Sequence, residues 1–261
     1  MASLGGKSTT LISLESSAQQ LATWQTNTQT ANDRVQAMYS AMGDMIDQLT
    51  SLRSTLSAAK SGAADAATLN DTGAGLLEDL ADLMNLRQDG RYLFAGSNTG
   101  TAPVDTSLLS TPSIPSSADA AYYTGNDELA SVRISGQQTL TYGVTAGGSA
   151  FEKALRASNI VATMTTTPLD EDALDEAYDL ATEALDGLIA AQSGLSNNAS
   201  RLETASTRQT AALDLLDTMA GNIKAVDVAA VTIKLSQYET QLTASYSALG
   251  NLSSLSLAKY L

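Results

Sequence analysis

Cysteine and histidine are both absent from this chain of 261 residues. Without them the chain has no histidine general base, no cysteine nucleophile, no disulfide and no zinc site built from Cys and His ligands. Catalysis would have to use carboxylates, Ser, Lys or Tyr. The sequence shows no Gly-x-Ser-x-Gly elbow and no Ser-x-x-Lys pair on a strand-to-helix turn. We therefore expect a protein that is not an enzyme and that needs no cofactor and no metal.

Basic residues are also few. There are 14 Lys and Arg and 28 Asp and Glu, so the formal net charge is 14 − 28 = −14. An acidic chain without a basic run is repelled by phosphate backbones and by anionic lipid, so we expect no nucleic-acid partner and no membrane partner. No apolar run comes near the roughly 18 residues of a membrane span, and the N-terminus lacks the apolar core of a signal peptide.

Proline is rare, and its positions divide the chain. Residues 1–102 and 169–261 contain none, so two long segments are free to form helix. Of the 12 aromatic residues, six lie between 92 and 151, in a region rich in Gly, Ser and Thr. This composition predicts a small β module between two helical arms. The predicted strands are 91–95, 120–124, 130–134 and 138–144, and 99–118 is predicted to be a surface excursion.

In the first arm an apolar residue recurs every three or four positions, which is the heptad pattern of packed helices. The residues of this seam are Ala31, Val35, Met38, Met42, Met45, Leu49, Leu52, Leu56 and Ala59. The same rhythm occurs earlier at Leu11, Leu14, Ala18 and Leu21, with a slip near 24–28. A helix of about 50 residues rises about 75 Å, so we expect an elongated rod. A second helix at about 68–89 should fold back antiparallel on the first.

The return arm repeats the heptad pattern. Its seam residues are Leu174, Tyr178, Ala181, Leu185, Leu188, Leu202, Ala205, Ala212, Leu216, Met219, Ile223 and Val226. The frame slips just after Gly221 and Asn222, which predicts a joint between two coiled-coil segments. Beyond the slip a new apolar stripe begins at Val228. Its candidate partner-binding residues are Leu235, Tyr238, Leu242, Leu249, Leu252 and Leu255.

Two other motifs suggest chemistry. Gly5-Gly6-Lys7-Ser8-Thr9 resembles the end of a phosphate-binding loop, but Met1 stands where that loop needs its first glycine. The stretch 170–186 contains eight acidic residues and lacks the Asp-x-Asp-x-Asp-Gly spacing of a calcium loop. We interpret these carboxylates as complementing the dipole of a helix that begins after Pro168. A cation site, or a solvated face that adjusts packing between subunits, stays open as an alternative.

Several segments carry a resemblance to one family. The stretch from Gly90-Arg91-Tyr92-Leu93-Phe94 to Asn98-Thr99 resembles "Gly-x-Tyr-Leu-Phe-x-Gly-Thr-x-Thr" of the flagellar hook-associated proteins of type 3, the hook–filament junction proteins. Tyr123-Thr124-Gly125-Asn126-Asp127, Val132-Arg133-Ile134 and Gly148-Ser149-Ala150-Phe151 follow in the order of that family's inserted module. The end, from Leu235-Ser236-Gln237-Tyr238 to Ala258-Lys259-Tyr260-Leu261, is similar to the family's C-terminus. The resemblance covers nearly all of 10–261.

The resemblance implies a mainly α, flagellin-like fold, an elongated rod of long antiparallel helices and coiled coil with a small inserted β module. The expected parts are an N-terminal helical arm at 1–96, the β module at 97–150, a C-terminal helical arm at 151–226 and a coiled-coil assembly helix at 227–261. The implied function is structural. The chain would be an adaptor subunit at the hook–filament junction of the bacterial flagellum, outside the cell, exported by the flagellar secretion apparatus.

The resemblance also implies partners. These are further copies of the chain in a ring, a neighbouring hook-associated protein, flagellin and an export chaperone, which would cover the exposed stripe before assembly. The family ordinarily opens with a further helix that pairs with the C-terminal one. Met1-Ala2-Ser3-Leu4 starts after it, so we expect an N-terminally truncated chain. The alternatives are a flagellin, which is a filament subunit of the same architecture, and a coiled-coil sensor or adhesin whose β module binds a ligand.

Overall fold

The computed structural model describes residues 2–63 and 66–254, with side chains described in these ranges except at 2–6, 66, 226–227 and 252–254. The chain forms two compact units. One consists of Met1–Thr23 and Gln209–Leu261, and the other is Trp24–Arg208. The predicted slip near 24–28 lies next to the boundary between the units on the first helix. The predicted part boundaries at 97, 151 and 227 do not coincide with this division, and they stay predictions.

Long helices dominate the structure, as the proline-free segments predicted. The elements in chain order are α1 (Ala2–Lys60), α2 (Leu69–Met84), β1 (Arg87–Gln88), β2 (Arg91–Tyr92), β3 (Ala130–Arg133), β4 (Thr139–Tyr142), α3 (Ser149–Thr163) and α4 (Glu171–Ser254). With 84 residues in α4 and 59 in α1, the predicted mainly α fold class is confirmed.

The core of the unit Trp24–Arg208 follows the predicted seam. All nine seam residues of the first arm are at most 5% exposed, and Leu49 is fully buried. Within this unit α1 and α4 run antiparallel, because Lys60 Nζ lies 2.7 Å from Asp175 Oδ1 and Gln192 Nε2 donates to the Tyr39 carbonyl at 3.2 Å. The seam of the return arm is buried here as well, at Leu174, Ala181, Leu185, Leu188, Leu202 and Ala205.

Helix α2 is shorter than the predicted 68–89, and it packs on α3, which forms the first part of the predicted C-terminal helical arm at 151–226. The C-cap residue of α2 is Asn85. Its side chain accepts a hydrogen bond from the Val104 amide at 3.0 Å and donates one to the Val104 carbonyl at 2.9 Å. At its other end, Asn70 Nδ2 donates to the carbonyls of Val161, Ala162 and Met164 at 3.0 to 3.1 Å. The first turn of α2 therefore caps the last turn of α3.

The predicted strands are only partly present. The predicted pair 130–134 and 138–144 is confirmed as the antiparallel hairpin of β3 and β4, with Val132 opposite Leu140. The predicted strand 91–95 is reduced to β2, which pairs with β1. The prediction of a strand at 120–124 is wrong, since only Tyr123 forms a bridge there, with Val104. Pro103 lies beside that bridge and has no N–H group to extend the ladder.

The β module shares the core of the helices. Val104, Tyr122 and Leu140 are buried in the same apolar cluster as the α1 seam. The Tyr122 hydroxyl donates to the Ala146 carbonyl at 2.7 Å, and burial raises the pKa of Tyr122. The module's side chains are thus part of the packing of this unit.

The excursion at 99–118 lies mostly at the surface, apart from the buried Pro103 and Val104, and polar contacts hold it on the helices. The Ser116 amide donates to both carboxylate oxygens of Glu176 on α4, at 2.9 and 3.1 Å. Arg156 on α3 donates from Nη1 to Ser116 Oγ at 3.1 Å, and its Nε lies 3.0 Å from Oε1 of the buried Glu152. The Asp119 amide completes the network by donating to Glu152 at 3.1 Å.

A candidate assembly surface on α4

The unit Met1–Thr23 with Gln209–Leu261 brings together the start of α1 and the second half of α4. Glu15 on α1 and Lys224 on α4 form an ion pair at 2.9 Å. The early heptad positions of α1, Leu11, Leu14, Ala18 and Leu21, are half-buried. On α4 the buried or half-buried positions are Gln209, Ala212, Leu213, Leu216, Ala220 and Ile223. Met219, which the sequence placed in the seam, is instead 44% exposed.

Burial changes abruptly further along α4. Among the described side chains from 228 to 251, only Ala230 is half-buried, and every other one is exposed. The helix itself continues without interruption from Glu171 to Ser254. The predicted slip after Gly221 and Asn222 is therefore not a break in the helix. It marks the region in which the described chain stops covering the apolar positions.

The predicted partner-binding residues lie on this uncovered segment. Leu235 is 57% exposed, Tyr238 67%, Leu242 58% and Leu249 62%. Leu255 lies outside the described residues, as does the side chain of Leu252. We name the set Val228, Val231, Leu235, Tyr238, Leu242, Tyr246 and Leu249 the C-terminal stripe.

The C-terminal stripe is a single narrow face. At 3.6 residues per turn, its seven members fall within about 80° of the helix circumference and extend over about 32 Å. Tyr246, which is 67% exposed, was not among the predicted residues. The heptad frame places Ser245 in the stripe, and the neighbouring Tyr246 supplies the apolar surface there. A count of apolar residues one position off the frame would have found it.

The rest of this segment is polar but has little charge. Between 228 and 251 the only charged residues are Lys234 and Glu239. Hydroxyl groups on the other faces bond within the helix. Thr232 donates to the Val228 carbonyl, Thr240 to Ser236, Thr243 to Glu239 and Ser245 to Gln241, each at 2.8 Å. The stripe therefore stands out as the one face with large apolar side chains, except for Ile233 on the opposite side.

Acidic residues of the stretch 170–186 cap the start of α4 and form ion pairs with lysines. Asp170 caps the helix, since its Oδ1 accepts from the Ala173 amide at 3.0 Å, and Glu171 and Asp172 lie in the first turn, where carboxylates complement the helix dipole. Asp175 pairs with Lys60, which raises the pKa of that lysine, and Glu183 lies 2.7 Å from Lys153, which lowers the pKa of that carboxyl. Within the described ranges, no group of three or more acidic side chains is arranged to hold a metal ion.

Among the described helices, none combines the length and the apolar character needed to cross a bilayer.

Comparisons with known proteins agree with this geometry. Residues 178–261, which include the whole C-terminal stripe, match the family model of the bacterial flagellin C-terminal helical region. No curated protein sequence matches the chain.

Three solved structures share the fold. A flagellar hook-associated protein from Vibrio parahaemolyticus has a TM-score of 0.65 at 15% identity, covering 82% of this chain and 96% of that one. FlgL of Bacillus cereus has a TM-score of 0.64 at 14% identity, with coverage of 80% and 99%. Flagellar hook-associated protein 3 of Legionella pneumophila has a TM-score of 0.64 at 14% identity, with coverage of 82% and 98%.

The chain thus has the fold of flagellar hook-associated proteins, and its C-terminal third matches the helical region of flagellins. The resemblance to hook-associated proteins of type 3 that the sequence indicated is confirmed in the fold. Together these findings support the prediction of a structural component of the bacterial flagellum.

Proposed function

We propose that this chain is an adaptor subunit at the hook–filament junction of the bacterial flagellum and that it assembles through the C-terminal stripe. The observation that carries the proposal is the uncovered heptad face on α4, inside the segment that matches the flagellin helical region. A helix in a protein gains most of its stability from tertiary packing, so a stripe of this length needs a partner.

Covering the leucines of the C-terminal stripe would stabilise an assembly of subunits. Removing one Leu side chain from water contributes about 1.5–3 kcal/mol, so covering Leu235, Leu242 and Leu249 would contribute several kcal/mol for each subunit. Many copies held side by side along such faces form a stable assembly without a globular interface. The role is structural and requires no catalytic group.

The proposed partners are those of a junction subunit. They are further copies in a ring, a neighbouring hook-associated protein on one side, flagellin on the other, and an export chaperone that covers the stripe before assembly. The proposed location is outside the cell, reached through the flagellar secretion apparatus. A flagellin is the alternative, because a filament subunit would use the same stripe.

The test replaces the chromosomal copy of the gene with one that encodes Leu242→Asp. This substitution puts a carboxylate in the middle of the C-terminal stripe. Ala244→Asp is the matched control, since it adds the same charge on the opposite, polar face of α4. Immunogold electron microscopy locates the protein, and the flagellin released into the medium is quantified. We expect wild type and Ala244→Asp to label the junction alone, and Leu242→Asp to leave flagella unlabelled and to release flagellin.

The other outcomes separate the alternatives. Label along the whole filament would identify a flagellin. No flagellar label for wild type would contradict a flagellar function. Equal behaviour of the two variants would show that the C-terminal stripe is not the assembly surface.

A further inference from the structure

Three arginines from separate parts of the unit Trp24–Arg208 line one cavity. Arg34 comes from α1, Arg91 from β2 and Arg133 from β3, and the cavity between them measures about 510 Å³. Asn27 and Asp89 also line the cavity. Asp89 belongs to the tight turn between β1 and β2, where its φ of 50° places it in the left-handed region.

This concentration of positive charge is unusual for the chain. Three of its eight arginines are gathered here, although the formal net charge is −14. In the part of the chain that the structure describes, none of the three guanidinium groups forms an ion pair. The four ion pairs found there use Lys60, Lys153, Arg156 and Lys224.

Arg34 is half-buried, whereas Arg91 and Arg133 are exposed. Like charges gathered in one cavity repel one another, and Asp89 is the one acidic side chain among the described residues that line it. An oxyanion in the cavity would offset this repulsion, because guanidinium groups bind carboxylate and phosphate with paired hydrogen bonds.

We propose that this cavity is a binding site for an oxyanion, a carboxylate or phosphate group held by Arg34, Arg91 and Arg133. The group has two conceivable sources. One is a free anion in solution, and the other is an acidic side chain of a second copy of this chain, whose exposed Glu171, Asp172 and Asp179 carry the same chemistry. The proposal does not depend on the flagellar function.

The experiment compares two double variants of the full chain. Arg91→Gln with Arg133→Gln removes two charges from the cavity at exposed positions, so the fold should be kept, as circular dichroism would verify. Arg201→Gln with Arg208→Gln removes two exposed charges from α4 and is the matched control. Isothermal titration with citrate and with inorganic phosphate measures anion binding at an ionic strength held constant with sodium chloride. Sedimentation velocity at low salt measures self-association.

We expect saturable binding of citrate or phosphate that weakens roughly tenfold or more in the cavity variant and is unchanged in the control. If neither anion binds, self-association that disappears only in the cavity variant would support the site and assign its ligand to a second copy. Absence of both effects, or equal loss in both double variants, would overturn the proposal.

Discussion

Gly73 on α2 lies so close to Ala162 on α3 that a Cβ atom at position 73 would overlap the Ala162 amide nitrogen. The same Cβ would also lie 2.8 Å from the carbonyl carbon of Val161. Both atoms belong to the backbone of a helix and cannot turn aside as a side chain can. The crossing of α2 and α3 therefore depends on the absence of a side chain at residue 73.

Gly73→Ala should destabilise the protein by about 1–3 kcal/mol, because α2 and α3 would have to move apart. Gly75→Ala on the same helix is the control. A Cβ there meets nothing within 4 Å, so the better helix propensity of Ala should stabilise by up to about 1 kcal/mol. Urea denaturation measures both. A Gly73→Ala protein that is as stable as the wild type, or more stable, would contradict the close crossing.

Leu49→Ala should lower the free energy of unfolding by roughly 2–4 kcal/mol, since the fully buried Leu49 leaves a cavity in the seam. Leu215→Ala removes the same atoms from a side chain that is 60% exposed and should change stability by less than about 0.5 kcal/mol. Thermal melting compares the two variants. Equal melting temperatures would mean that 31–59 is not the packed face.

Replacing 100–147 with a short Gly/Ser linker tests how far the β module supports the helices. We expect helicity by far-UV circular dichroism to persist, because the α1 seam does not include these residues. We also expect a lower melting temperature, since Val104, Tyr122 and Leu140 leave the shared core. An unchanged melting temperature would show that the module folds separately, and loss of the helices would show that it is essential.

The long helices could be predicted because a heptad pattern without proline is local information. Helix α3 lies within the predicted helical arm at 151–226, but its heptad seam was not recognised, because its buried face includes Glu152, Ser158 and Asn159, which interrupt the apolar period. The attachment of the surface excursion could not be predicted either. Its contact between Ser116 and Glu176 joins residues 60 positions apart, and polar side chains in a loop give no signal of their distant partners.

The two candidate sites, the C-terminal stripe and the arginine cavity, also differ in whether the sequence reveals them. The C-terminal stripe is visible in the sequence because its residues follow one another along a single helix. The arginine cavity is not, since Arg34, Arg91 and Arg133 come together only when three elements are folded.

Asp119 should make stability depend on acid pH. The amides of Ser110 and Ala121 donate to its carboxylate, each at 3.0 Å, and hold its pKa below the ordinary value of 3.8. Because the folded pKa is the lower one, this contribution is complete above about pH 5 and is lost as the pH falls through the folded pKa. The difference in unfolding free energy between wild type and Asp119→Asn should therefore shrink as the pH is lowered from about 6 to 3.

Chemical denaturation at each pH measures that difference. Asp217→Asn, an exposed substitution on α4, is measured in the same series as the control for the loss of one carboxylate. A difference for Asp119→Asn that is constant with pH would mean that the two amide bonds do not favour the ionised form.

Hydrogen exchange should distinguish the C-terminal stripe from the seam in the dilute monomer. We expect amides at 228–251 to exchange orders of magnitude faster than those at 31–59, because the stripe side chains are more than half exposed and the seam is buried. Mass spectrometry of the exchanged protein gives both rates. Equal protection of the two segments would reveal an internal partner for the stripe.

The hydroxyl groups near the end of α4 lower the cost of moving this segment from water into a protein interior. Thr232, Thr240, Thr243 and Ser245 already donate to carbonyls of their own helix. A polar group that keeps its hydrogen bond loses little when water leaves, whereas a group that loses its partner costs roughly 1–3 kcal/mol. With only Lys234 and Glu239 charged between 228 and 251, this segment can pass from water into a dry, crowded interior at a smaller cost than a highly charged helix would.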